Sequence, residues 1–81
     1  MNKSINSYNS CYIIGIGGSG MSSIAKYLSQ KGLDVSGYDQ RSSYVTNLLN
    51  NDGIKVDFDM SNHIYNSDTL YIISSAIKIN S

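Results

Sequence analysis

The sequence has 81 residues, and its six basic and six acidic side chains give a formal net charge of zero at pH 7. This length allows one small domain and excludes an enzyme that holds cofactor and substrate on separate domains. The balanced charge argues against nucleic-acid binding, because backbone phosphates require clustered basic residues. The single cysteine allows no internal disulfide. The polar residues 1–10 indicate a disordered lead-in rather than a signal peptide, so we expect a cytoplasmic protein.

We expect residues 11–81 to form one incomplete domain. The first part of this domain is predicted to contain a strand, a turn and a helix. An apolar run over 11–16 predicts a buried strand, and the glycines of 15–20 predict a tight turn. A helix is expected from Ser19 to Lys31, just before Gly32. Its apolar stripe consists of Met21, Ile24, Ala25 and Leu28.

The next part predicts a second strand and a second helix. The strand covers 33–38, and either Ser42 or Ser43 is expected to cap the helix, which Gly53 closes. The shared apolar face of this helix consists of Val45, Leu48 and Leu49.

The last part predicts two further strands, over about 54–57 and 69–73. The polar segment 58–67 lies between them, and we expect one helical turn in it around Ser61–Tyr65. The order β-α-β-α-β-β predicts an α/β fold with a parallel sheet of about four strands and right-handed crossovers. The fourth strand should lie beside the first.

The glycine turn has the pattern G-x-G-x-x-G from Gly15 to Gly20, between a predicted strand and a predicted helix. Glycines allow a phosphate to approach backbone amides, and a helix N-terminus favours an anion. The hydroxyls of Ser19 and Ser22 can add hydrogen bonds. The turn therefore predicts phosphate binding, and the alternative is a tight turn without a ligand.

The same turn nearly matches the phosphate-binding loop of ATP-hydrolysing proteins. Gly15 to Gly20 has the glycine spacing, and Ser22 takes the Ser/Thr position, but Met21 stands where the lysine is required. We therefore reject ATP hydrolysis at this turn.

Polar residues follow the second and fourth predicted strands. Asp39 lies at the end of the second strand, where a carboxylate binds ribose hydroxyls in dinucleotide folds; the alternative is a solvated turn residue. Ser74 and Ser75 follow the fourth strand and either reach the same phosphate or form a polar strand end. His63 is expected to be exposed rather than a metal ligand, and the tyrosines show no stacking pattern.

Four segments resemble the Mur ligases, the ATP-dependent amino-acid ligases of peptidoglycan synthesis, in the order in which that family has them. The similarity is strongest to the branch that joins L-alanine to UDP-N-acetylmuramic acid. The segments are IGIGGSGMSSIAK at 14–26, VSGYD at 35–39, Ser43-x-x-Thr46-x-x-Leu49 and SSAI at 74–77. Ser23 replaces a family glycine and is expected to press the helix against the sheet.

The resemblance implies a Rossmann-like, three-layer N-terminal domain of a three-domain enzyme, with ATP and magnesium bound elsewhere. It implies no catalytic residue, metal or cofactor in this segment, which alone should be inactive. The implied UDP-sugar-binding residues are Gly17, Gly18, Ser19, Gly20, Met21, Ser22, Asp39, Ser74 and Ser75. L-Alanine would bind through the missing domains.

Two other functional interpretations remain open. The first is a standalone NAD-type dinucleotide-binding module, which the glycine pattern and Asp39 support equally well. The second is a truncated remnant that folds poorly and binds nothing, which the polar lead-in and the biased composition suggest.

Overall fold

The computed structural model describes residues 8–74 and contains six elements in the expected order. The strands are β1 (Ser10–Ile14), β2 (Asp34–Tyr38), β3 (Lys55–Asp57) and β4 (Thr69–Ile73), and the helices are α1 (Ser19–Gln30) and α2 (Tyr44–Asn51). Ser10, which the sequence assigned to the lead-in, is the first residue of β1. Within residues 8–74, neither helix has the length and apolarity needed to cross a membrane.

The four strands form one parallel sheet in the order β3-β2-β1-β4. The register places Ile14 of β1 opposite Tyr38 of β2 and Ile73 of β4, so the carboxyl ends of three strands are level. The prediction that the fourth strand lies beside the first is confirmed. The chain moves outward from β1 to β3 and then returns to the other side of β1, which makes the β1/β4 boundary the topological switch point.

Both helices pack on the same face of the sheet. Residues of opposite parity along a strand point to opposite faces, and Cys11, Ile13 and Val35 belong to the buried cluster that contains Ala25 and Leu28 of α1. Successive right-handed crossovers in one direction place both helices on one side. The described residues thus supply two of the three predicted layers, the helices and the sheet.

The other face of the sheet is covered in part by the segment 58–68. Tyr12 points to this face and is 3% exposed, because its ring packs against His63 with the ring centroids 4.1 Å apart. The expected helical turn around Ser61–Tyr65 is wrong. Side-chain oxygens of Asp59 and Asn66 accept backbone N–H groups two residues later, and such local bonds favour turns over a helix.

Candidate functional site

A crevice of about 320 Å³ opens at the carboxyl edge of the sheet, beside the topological switch point. Open parallel sheets bind their ligands at this place because the loops there diverge from one another. The residues lining it are Gly15, Gly17, Gly18, Asp39, Gln40, Arg41, Ser43 and Ser74.

The glycine turn is held by the carbonyl oxygen at the end of β2. The N–H groups of Gly15 and Ile16 both donate to the Tyr38 oxygen, at 2.7 and 3.0 Å. Gly15 has a φ of 90°, a conformation that residues with a Cβ rarely adopt. The N–H of Gly18 then donates back to the Gly15 oxygen at 3.0 Å, which closes the turn.

Three other backbone N–H groups belong to the glycine turn. One of them already donates a hydrogen bond, and two are available to a ligand. The N–H of Gly17 donates to Asp39 Oδ2 at 2.8 Å. Ser19 and Gly20 begin α1, where the first amides have no intrahelical acceptor, and the N-cap Gly18 offers no side-chain acceptor. Among the described residues of the turn, the amides of these two exposed residues are the donors left for an anion.

Ser74 reaches the crevice directly after β4. Its N–H donates to the Ile14 oxygen at 2.9 Å, which continues the β1–β4 pairing to the crevice wall. The structure thus brings together four of the predicted site residues, Gly17, Gly18, Asp39 and Ser74. Ser75 lies outside the described residues.

Four other predicted site residues do not line the crevice. Ser19 and Gly20 adjoin its Gly18 wall along the chain, with both residues exposed. Met21 is partly buried against the core, as expected from its place in the predicted apolar stripe of α1. The hydroxyl of Ser22 turns back to the Ser19 carbonyl at 3.5 Å.

The expected effect of Ser23 is wrong. Ser23 is exposed, so its side chain lies on the solvent side of α1 and does not press the helix against the sheet. Ile24 of the predicted apolar stripe is likewise 39% exposed, because only Ala25 and Leu28 face the sheet directly enough to be buried.

Sequence reasoning missed three crevice residues, Gln40, Arg41 and Ser43. The sequence analysis predicted no role for Gln40 or Arg41. Ser43 was expected only as a helix cap, which it is: its Oγ accepts the Thr46 N–H at 3.2 Å. A signal was present nonetheless, because the start of a helix that follows β2 must lie at the same sheet edge as the glycine turn.

His63 is not the exposed, isolated residue expected from the sequence. Its Nε2 lies 3.0 Å from the Tyr71 hydroxyl, and its ring contacts Tyr12, Tyr65 and Tyr71. The Tyr12 hydroxyl donates to Asp57 at 3.1 Å. Burial is the largest cause that raises the pKa of the Tyr12 phenol, and this hydrogen bond is the next largest. No group of three His, Cys, Asp or Glu within residues 8–74 could hold a metal ion.

The fold and the glycine turn define the class of the chain, a Rossmann-like α/β domain with a candidate nucleotide crevice at its carboxyl edge. A family model described as "Mur ligase family, catalytic domain" matches residues 10–80. The chain therefore belongs to the Mur ligase family.

The chain is also similar to several bacterial proteins named UDP-N-acetylmuramate–L-alanine ligase. It is 43% identical over 68 residues to that of Campylobacter jejuni and 37% identical over 78 residues to that of Flavobacterium johnsoniae, which covers 83% and 90% of the chain. The protein of Christiangramia forsetii is 40% identical over 57 residues, or 70% of the chain. The aligned regions span 13 to 17% of the length of these curated relatives.

Proposed function

We propose that this chain is the N-terminal UDP-N-acetylmuramate-binding segment of an ATP-dependent ligase that adds L-alanine to UDP-N-acetylmuramic acid in peptidoglycan synthesis. The observation that carries the proposal is the alignment of most of the chain with proteins of that name. The crevice at the switch point supports it, because Gly17, Gly18, Asp39 and Ser74 meet there.

The diphosphate of the nucleotide sugar would bind at the start of α1. The available amides of Ser19 and Gly20 would donate to phosphate oxygens, and the N-terminal dipole of α1 would add a stabilisation of about 0.3–1 kcal/mol. Gly17 and Gly18 would provide a wall without side chains, and Met21 and Ser22 would support the first helical turn. The nucleoside side would be completed by Asp39, Ser74 and Ser75.

ATP and magnesium would bind in other domains of the full-length enzyme. The glycine turn does not fit ATP, because Met21 replaces the lysine of a phosphate-binding loop, and residues 8–74 contain no group of three His, Cys, Asp or Glu that could hold a metal ion. In the complete enzyme, phosphorylation of the muramyl carboxylate would precede attack by the amino group of L-alanine. The 81-residue chain would bind the nucleotide sugar in the cytoplasm without catalysing ligation.

Calorimetry with UDP-N-acetylmuramic acid and with NAD tests the proposal. We expect heat of binding with the UDP-sugar and none with NAD at the same concentrations. Binding of NAD without binding of the UDP-sugar would instead establish the dinucleotide module, which the position of Asp39 at the end of β2 favours. The absence of a cooperative thermal unfolding transition would instead support the third interpretation, a truncated remnant that folds poorly.

A further inference from the structure

The two edges of the sheet differ in how well they are protected against pairing with another chain. Strand β3, at one edge, has three residues and carries Lys55 and Asp57. Short strands and charged side chains are common means of blocking an edge. Strand β4, at the other edge, has five residues, no charge, no proline and an uninterrupted register with β1. Within residues 8–74, no strand covers its outer side.

Backbone groups on the outer side of β4 are open to hydrogen bonding. The N–H of Ser74 donates to the last residue of β1, so Ser74 and every second residue before it turn their main-chain groups toward β1. Because successive residues of a strand alternate, the groups of Thr69, Tyr71 and Ile73 face away from the sheet. The Thr69 N–H donates to the Asn66 oxygen, but its carbonyl still faces outward.

The side chains that flank this edge are apolar and incompletely covered. Ile73 is 51% exposed. Leu70 and Ile72 pack against the core but are only partly buried, because α1 packs mainly over β1 and β2. A strand added to this edge would therefore remove apolar surface from water as well as pair the backbone groups.

We propose that a second copy of this chain binds along β4, with the two β4 strands antiparallel about a two-fold axis at Tyr71. The same strand serves both partners, and no like charges meet because the strand carries none. Each Tyr71 N–H donates to the Tyr71 oxygen of the other copy, and each Ile73 N–H donates to the Thr69 oxygen of the other copy.

This pairing stops at a dimer. It joins the two sheets into one, and both outer edges of the joined sheet are then the short, charged β3 strands. One pair of short strands is a small contact beside the about 1,600 Å² of a standard interface, so we expect a dissociation constant on the order of 0.1 mM. The crevice lies at the boundary of β4 with β1, on the other side of the strand, so the dimer does not depend on the proposed nucleotide-sugar function.

Sedimentation velocity of the 81-residue chain between about 10 μM and about 1 mM tests the dimer. We expect the mass to rise from the 8.9 kDa of one chain toward twice that value. Amide hydrogen exchange over the same range locates the contact: the amides of Tyr71 and Ile73 should exchange about fourfold more slowly at the higher concentration, by mass action. Val56 is the internal control, because Asp57 bonds to β2 and the Val56 amide faces outward at the opposite edge.

Ile73→Lys should keep the chain monomeric, because the strand pair would take the ammonium group out of water. Ile64→Lys is the matched control, since Ile64 is 86% exposed beside β3 and the variant makes the same change in charge. We expect it to dimerise like wild type. If Ile73→Lys fails to unfold cooperatively, Ile73→Pro replaces it, since proline removes an outward N–H that the pairing with β1 does not use.

A mass that rises in wild type and in Ile64→Lys, but not in the Ile73 variants, supports the pairing. A dimer that persists in the Ile73 variants, assemblies larger than a dimer, or equal slowing of exchange at Val56 would overturn it. A wild-type chain that stays monomeric up to about 1 mM would also overturn it, and would leave the β4 edge to a strand of a different polypeptide.

Discussion

Gly37 of β2 lies in close contact with Ile13 of β1 and with Ile16 of the glycine turn. A Cβ at this position would overlap the Ile13 carbonyl oxygen and lie 2.7 Å from Ile16 Cδ1. Ile16 is fully buried and is the second residue of the glycine turn, so its side chain needs the surface that Gly37 leaves bare. A glycine inside a strand often marks such a close approach.

Replacement of Gly37 by alanine should therefore destabilise the whole fold. We expect the free energy of unfolding to fall by about 2–3 kcal/mol, because both neighbours are part of the packed core. Gly20→Ala is the control, since a Cβ there meets nothing within 4 Å and alanine favours a helix. Urea denaturation measures both variants, and an equal loss in the two would contradict this packing.

The buried thiol of Cys11 should make the free energy of unfolding depend on pH in the alkaline range. Burial raises its pKa from 9.0 to about 11, so the unfolded chain loses the thiol proton first as the pH rises. The stabilising effect is complete below about pH 9 and is lost between about pH 9 and pH 11. We expect the stability advantage of wild type over Cys11→Ala to shrink by about 2 kcal/mol across that window. A constant difference in urea denaturation would contradict the shift.

At the scale of elements, helix α2 begins with a reciprocal pair of hydrogen bonds. Ser43 Oγ accepts the Thr46 N–H at 3.2 Å, and Thr46 Oγ1 accepts the Ser43 N–H at 2.8 Å. Thr46 here takes the place that Glu or Gln usually holds in a capping box. Because Thr46 also lies beside Gly17, the cap fixes α2 against the glycine turn.

The two members of this cap should be energetically coupled. We expect Ser43→Ala and Thr46→Val each to reduce the free energy of unfolding by about 1 kcal/mol. The double variant should lose less than the sum, because each single change already breaks the pair. Thr46→Ser retains the hydroxyl and is the control for the cap. Strict additivity in urea denaturation would show that the two bonds act independently.

The same elements show what the sequence could predict about the fold. Apolar runs and glycines located all four strands and both helices, because burial and turn geometry leave a local pattern. The segment 58–68 could not be predicted in this way. Its conformation depends on Asp59 and Asn66, which bond locally, and on Tyr12, which is 51 residues from His63 along the chain but stacks on it.

The site was predictable to a similar extent. The glycine turn and the end of β2 stand out in the sequence, and Gly17, Asp39 and Ser74 do meet in the crevice. What could not be predicted is that Asp39 already occupies the Gly17 amide. That contact depends on the register of two strands and on a side-chain orientation, neither of which leaves a local pattern.

At the scale of the molecule, aromatic contacts hold segment 58–68 on the face of the sheet opposite the helices. The Tyr71 hydroxyl accepts the Asn66 N–H at 3.1 Å and also lies within bonding distance of His63, so it ties segment 58–68 to β4. The crevice at the glycine turn includes none of these residues.

Loss of the Tyr71 hydroxyl should therefore loosen one face and spare the crevice. We expect Tyr71→Phe to speed amide hydrogen exchange in residues 61–68, with a loss of about 1 kcal/mol in local stability. The affinity for UDP-N-acetylmuramic acid should not change. Tyr27→Phe is the control, because Tyr27 lies exposed on α1. Weaker binding in Tyr71→Phe would show that the two faces are coupled.

The central claim is that the chain binds UDP-N-acetylmuramic acid through the amides at the start of α1. The most direct test follows the amide resonances of the isotope-labelled chain during a titration with this UDP-sugar. The claim predicts large shifts at Ser19 and Gly20, whose amides are available at the start of α1, and small ones at Gly32 and Gly53, which follow the far ends of the two helices. Unchanged Ser19 and Gly20 resonances at saturating UDP-sugar, or shifts with NAD alone, would contradict it.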